Sequence, residues 1–180
     1  MTDKNIVLIG FMGTGKSTVG KILARKMDRP LWDIDQAIED QQKKRISEIF
    51  ENEGETYFRN LEKQMILDVS SHRGQVITTG GGAVVDPENL KALQSSGILV
   101  ALDATAETIY QRVKGTRHRP LLKSGDLMAE IKRLLESRKP FYEKAELTVS
   151  SSGKSAAKVA DEIYEALESR EDFEFGKDWF

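Results

Sequence analysis

The sequence predicts an α/β fold in which helices cover both faces of a parallel sheet. Three observations lead there. Short apolar runs rich in β-branched residues recur along the 180 residues, and stretches of helical periodicity separate them. Strand and helix alternate at regular intervals, the pattern of βαβ crossovers. The first apolar run enters a glycine-rich turn and then a helix, which is how such a unit begins.

Ile6–Ile9 is apolar on both sides, as a central parallel strand must be. After the turn Gly10–Gly15, Lys16–Met27 reads as a helix with Val19, Ile22, Leu23 and Met27 at helical spacing. Leu31–Ile34 is the second strand and ends on the aspartate pair Asp33 and Asp35. Helices are predicted over Asp35–Asn52 and Glu55–Ser71. Gln75–Thr79 is a strand that runs into Gly80-Gly81-Gly82. Pro87–Ser95 is a short helix, Ile98–Leu102 a strand, and Ala106–Lys114 a helix. A basic, proline-containing segment follows, Gly115–Gly125. Leu127–Lys139 is helical up to Pro140, Leu147–Val149 is the last strand and Ser155–Ser169 the last helix. Residues 1–170 thus form one domain, and 171–180 are an acidic, aromatic tail read as a frayed terminus.

Composition narrows the function classes. Hydrophobic residues make up 39% and charged residues 31%, as in an ordinary globular domain. A net charge of -2 predicts no broad basic face, so nucleic acid is not expected as a partner. The absence of cysteine excludes disulfides, thiolate metal sites and cysteine nucleophiles. No apolar run reaches membrane-spanning length, and Ile6–Ile9 is too short for the core of a signal peptide. A cytoplasmic protein is expected.

Gly10-Phe-Met-Gly-Thr-Gly15-Lys16-Ser17 matches G-x-x-x-x-G-K-[ST] at every fixed position, in the strand-to-helix setting that the pattern requires. Glycines let the backbone curl so that successive N–H groups face phosphate oxygens, and the helix beginning near Lys16 aims its positive end at the same anion. Gly13, Thr14, Gly15, Lys16, Ser17 and Thr18 are therefore the candidate contacts for a nucleoside triphosphate. Lys16 would reach the β- and γ-phosphates, and Ser17 would offer a hydroxyl to Mg²⁺. The motif alone does not separate a kinase from an ATPase or GTPase.

Asp33 and Asp35 stand two residues apart, so on a strand both would point to one side, at the sheet edge where ligands bind. Isolated, such a pair reads as helix caps. Beside a phosphate loop it reads as a metal-ordering and proton-accepting pair. The glycine triplet lets a ligand approach the backbone closely or lets the chain turn sharply. It also stands where a phosphate-loop protein usually carries an acidic strand end. Arg59, Arg119 and Arg138 are candidates for gripping carboxylate or phosphate.

These motifs, in this order, resemble shikimate kinases, over Ile6 to about Glu168. The resemblance rests on Gly10–Ser17, Trp32-Asp-Ile-Asp35, Ile46–Phe50, Glu53–Arg59 with Glu62, Thr79–Ala83, Arg119–Leu122 and Arg138-Lys-Pro-Phe-Tyr142. It implies a five-stranded parallel sheet flanked by helices, like that of nucleoside monophosphate kinases. It implies transfer of the γ-phosphate of ATP to the 3-hydroxyl of shikimate, on the way to chorismate and the aromatic amino acids. Asp35 is then the hydroxyl-binding residue and candidate base. Arg59 and Arg138 hold the shikimate carboxylate, and Gly81 contacts substrate through its backbone. Arg119 belongs to a lid over 112–125, while residues 34–61 form the substrate-binding helical region. Asp33 places Mg²⁺ together with Ser17. The adenine contact falls to the loop Ser151–Gly153, with Arg112 opposite. A monomer acting on small molecules, without nucleic acid or membrane, is expected.

Overall fold

The computed structural model describes residues 3–115 and 126–170. Among these, β1 (Asn5–Ile9), β2 (Leu31–Asp33), β3 (Val76–Thr78), β4 (Gly97–Asp103) and β5 (Leu147–Ser150) form one sheet in the order β2-β3-β1-β4-β5. Every neighbouring pair is parallel. The helices are α1 (Lys16–Lys26), α2 (Ile34–Gln42), α3 (Ile46–Asn52), α4 (Glu55–Ser70), α5 (Pro87–Ser96), α6 (Ala106–Val113), α7 (Leu127–Tyr142) and α8 (Ala156–Glu168). The five-stranded parallel architecture expected from the sequence is the one observed.

The alternation of side chains along a strand divides the core in two. Ile6 and Leu8 of β1, with Ile98, Val100 and Leu102 of β4, pack against α1 and α8. Val7 and Ile9, with Ile77, Leu99 and Ala101, face the other way, against α2, α3, α4 and α5. All five β1 residues are fully buried, which is why this strand carries no polar alternation. Each such aliphatic side chain contributes about 1.5–3 kcal/mol by leaving water. A third cluster, around Phe11, Ile109 and Ile131, joins α6 and α7 to the phosphate loop.

Three differences from the sequence reading bear on the site. The second strand ends at Asp33, and Ile34 already begins α2. The aspartates therefore do not share a strand face. Asp33 caps the helix, its Oδ1 accepting from the Gln36 N–H at 3.2 Å, and Asp35 lies in the first turn. The helix expected over 35–52 is two helices, because Lys43 takes a left-handed conformation (φ 54°) that ends α2, and α3 restarts at Ile46. In α7, Pro140 does not stop the helix. Near the C-terminal end it removes only one backbone bond, and Phe141 and Tyr142 continue the helix for half a turn into the packed clusters.

Candidate active site

The phosphate loop joins β1 to α1 at the carboxyl end of the sheet's central strand, where the chain order reverses and α/β proteins form their clefts. Gly10 is required there. Its φ is 134°, and a Cβ would lie 2.3 Å from the Leu102 carbonyl oxygen. The Thr14 hydroxyl donates to the Phe11 carbonyl at 2.7 Å and tightens the curl. Gly15 caps α1 without a side chain, so the first N–H groups of the helix are left for an anion. Lys16 is buried, and its ammonium donates to the carbonyls of Gly10 (2.7 Å) and Phe11 (2.9 Å). Ser17 and Thr18 face solvent.

Beside the loop opens a cleft of about 970 Å³ that brings together Ser17, Asp33, Asp35, Arg59, Gly81 and Arg138. Residues far apart in sequence and placed by different elements thus share one cavity. Arg59, on α4, is not the solvated arginine that its position early in a helix would suggest. Its guanidinium donates to Glu62 Oε2 at 2.7 Å and to Glu55 Oε1 at 3.2–3.3 Å. Arg138, on α7, is only 8% exposed, and its Nη1 is buried with no hydrogen-bond partner. Its guanidinium lies 5.6 Å from the centre of the Phe11 ring. Asp35 presents the complementary vacancy of charge: its Oδ1 is buried and accepts no hydrogen bond.

Burial is the main cause that raises Asp35 to about 7, with repulsion from Glu62 and Asp33 adding to it and Lys16 and Arg59 opposing. Burial also pushes Glu62 above its ordinary value, against the pull of Arg59 and Arg138. For Arg59 the desolvation is outweighed by Glu62 and Glu55, so its charge is held more firmly than usual.

The glycine triplet explains how these groups fit. A Cβ on Gly80 would lie 3.0 Å from both Asp35 Oδ1 and Glu62 Oε1. One on Gly81 would lie 3.0 Å from the Met12 backbone nitrogen and 3.4 Å from Arg138 Nη1. One on Gly82 would lie 2.8 Å from Arg59 Nη2. Each glycine makes room for a different part of the site. Close approach, rather than unusual backbone angles, is the reason for the run.

On the other side of the loop a smaller cavity of about 260 Å³ is lined by Thr14, Gly15, Thr18, Arg112, Ser151 and Lys154, among others. Arg112 donates to the Gly13 carbonyl (3.0 Å), the Ser151 hydroxyl (3.0 Å) and the Ser151 carbonyl (2.9 Å). The candidate adenine contacts on α6 and in the loop after β5 therefore do converge. Arg119 and most of the expected lid lie outside the described residues.

The sequence reading missed the part played by Glu62 and Tyr142. Glu62 is fully buried beneath Arg59. The i, i+3 spacing from Arg59 is the signal that could have found it. The Tyr142 hydroxyl donates to the Gly81 carbonyl at 2.6 Å; only the structure brings these together.

The donor set fits Mg²⁺. Ser17 and Asp33 supply a hydroxyl and a carboxylate at the phosphate end of the cleft. Asp33 uses Oδ1 for its cap, which leaves Oδ2 for a hydrated cation. Among the described residues no three His, Asp or Glu side chains gather to hold a metal by themselves. Mg²⁺ does not need such a cage, since it keeps several waters and shares phosphate oxygens.

The chain was compared with known proteins. Residues 12–168 match the model of the shikimate kinase family. A shikimate kinase of Persephonella marina is 46% identical over 160 residues, 89% of this chain and 96% of that protein. A solved shikimate kinase of Acinetobacter baumannii, in complex with shikimate, superposes with a TM-score of 0.89 at 35% identity, covering 92% of this chain and 93% of that one. The shikimate kinase of Aquifex aeolicus superposes with a TM-score of 0.81 at 40% identity, over 91% and 96%. With the family model spanning most of the chain and these relatives covered along nearly their whole length, the chain belongs to the shikimate kinase family.

Proposed function

We propose that this protein transfers the γ-phosphate of ATP to the 3-hydroxyl of shikimate, giving shikimate 3-phosphate and ADP. One observation carries the choice of acceptor. The cleft beside the phosphate loop holds a buried carboxylate oxygen that lacks a donor and a buried guanidinium nitrogen that lacks an acceptor. Unmet buried groups of this kind cost about 1–3 kcal/mol each, more when charged. A molecule carrying both hydroxyl and carboxylate satisfies the two at once, and shikimate has three hydroxyls and one carboxylate.

In this reading Arg59 and Arg138 bind the carboxylate and fix the ring. Asp35 accepts a hydrogen bond from the reacting hydroxyl and takes its proton as the new O–P bond forms and the bond to the β,γ-bridging oxygen breaks. Gly81 lines the acceptor side through its backbone. Gly13–Thr18 cradle the phosphates, and Lys16 exchanges its loop carbonyls for the β- and γ-phosphate oxygens. Arg119, on a lid over 112–125, adds positive charge and excludes water. Ser17 and Asp33 would hold Mg²⁺, which when bound neutralises charge on the phosphates. Phosphoryl transfer asks mainly for positioning and charge neutralisation, and these side chains supply both. A monomer in the cytoplasm, where ATP is available, is the setting proposed. Among the described residues no helix is long and apolar enough to cross a membrane.

ADP release from purified protein with ATP and Mg²⁺, measured against shikimate and gluconate separately, tests the substrate. Shikimate-dependent release is expected, with gluconate near the no-acceptor background. Comparable turnover on gluconate would sink the acceptor assignment.

A further inference from the structure

Gly80 to Ala83 form a β-turn closed by the Ala83 N–H donating to the Gly80 carbonyl at 3.2 Å. Gly81 and Gly82 occupy its centre, and Gly82 has φ -98° and ψ -4°, the third-position angles of a type I turn. In a type II turn the central peptide is turned over by about 180° and the third residue takes a positive φ. With glycine at both central positions, neither form carries a steric penalty. The turn is thus built on a peptide that is free to flip unless something outside it chooses.

Tyr142 is that element. Its hydroxyl donates to the Gly81 carbonyl, the oxygen of the central peptide, at 2.6 Å. The N–H of the same peptide belongs to Gly82 and is trans to that oxygen. Fixing the carbonyl on Tyr142, which does not line the cleft, commits the Gly82 N–H to the opposite side. Gly82 does line the cleft, with the Arg59 guanidinium against its Cα. Tyr142 is itself held from two directions, packing on the cluster beneath the cleft and on the one around Phe11. It stands four residues after Arg138 on the same face of α7. Burial keeps its hydroxyl protonated, pushed up to about 12, so it remains a donor across the working pH range.

We propose that Tyr142 is a positioning residue for the acceptor: it locks the Gly81–Gly82 peptide in one orientation so that the Gly82 N–H stands beside Arg59 as a donor for the substrate anion. Without the hydroxyl the peptide populates both orientations, and the apparent affinity for the acceptor falls by the fraction that remains competent. The inference rests on the acceptor reading proposed above.

Tyr142→Phe keeps the ring in its packing and removes the donor to Gly81 together with the oxygen that faces Arg138, so the Gly82 amide is the readout that separates the two. The expected result is a shikimate KM raised roughly twofold, as a competent fraction near one half implies when neither form is favoured, with nucleotide affinity and kcat unchanged. Relaxation-dispersion NMR should show exchange at the Gly82 amide in the variant and none in the parent. A shikimate KM equal to that of the parent, with a quiet Gly82 amide, would overturn the proposal. So would a parallel loss of nucleotide affinity, which would mark general damage to the fold. If the parent protein itself shows no shikimate-dependent turnover, the acceptor reading fails and this inference with it, whereas a normal parent and an unchanged variant overturn the inference alone.

Discussion

The burial of Asp35 carries a stability cost. The folded protein raises it from an ordinary 3.8 to about 7. Between those values the folded chain holds a proton that the unfolded chain has lost. Stability therefore falls as pH rises through that window and is level above it. In metal-free protein the loss from this one group is on the order of a few kcal/mol. Asp35→Asn removes the charge and the repulsion with Glu62. Above pH 7 it should raise Tm by about 6–12 °C if about 3 kcal/mol is recovered, at roughly 2–4 °C per kcal/mol for a chain of this size, while turnover drops by about 100-fold or more, the scale of a general base. Thermal melts and ADP release on the same preparation check both. A variant as active as the parent would refute Asp35 as base. In the parent, kcat/KM for shikimate should climb as pH rises through about 7, because the ionised carboxylate is the form that takes the proton.

Elements meet at the glycine triplet, and there the requirement is steric. The loop after β3 is pressed between α2, α4 and α7, and each glycine faces a charged group from one of them or the phosphate loop. Gly82→Ala places a methyl group 2.8 Å from Arg59 Nη2. The guanidinium must give way, at the expense of its bonds to Glu55 and Glu62. Shikimate KM should rise by about tenfold or more, the loss expected when one charged hydrogen bond of about 1.5–3 kcal/mol is weakened. Nucleotide affinity should stay within about twofold, since the atoms nearest to the added methyl group all belong to Arg59; a comparable loss of both would place the damage elsewhere.

What the sequence made legible differs from element to element. The phosphate loop could be read directly, because strand, turn and helix are contiguous and every contact is local. The parallel sheet with helices on both faces followed from alternation, whereas the strand order did not. Arg59 and Arg138 read from the residues as candidate anion grips, the resemblance adds their ligand and Gly81, and the structure brings all three to one cleft. Their chemistry was not legible. Arg59 reads as a solvated residue until Glu55 and Glu62 are seen on either side, and Glu62 reads as surface charge until it is found buried. The aspartate pair was placed on a strand because period-2 logic was applied one residue too far: Ile34 satisfies an apolar strand and the first buried position of a helix equally well. Pro140 misled for a similar reason. A proline marks a helix end when local bonding decides, and here the packing of Phe141 and Tyr142 outweighs one missing bond.

At the scale of the whole molecule, a ligand that binds only the folded chain shifts its stability by mass action. Shikimate at about 100 times its Kd should add about 2.7 kcal/mol, or roughly 5–11 °C in Tm at the scaling for this chain length. Gluconate at the same concentration should leave Tm unchanged, because it offers a different carbon frame to Arg59, Arg138 and Asp35. A shift with gluconate as large as that with shikimate would mean that the cleft recognises hydroxy acids as a class.

The identity of the product is the most direct test. Purified protein, ATP and Mg²⁺ are incubated with shikimate, and the product is examined by phosphorus NMR and mass spectrometry. Shikimate carrying one phosphate on its 3-oxygen, in amounts equal to the ADP released, is the predicted result. ADP formed without phosphorylated shikimate would contradict the assignment of the cleft as the acceptor site, and phosphate on another hydroxyl would contradict the placement of Asp35 against the reacting oxygen.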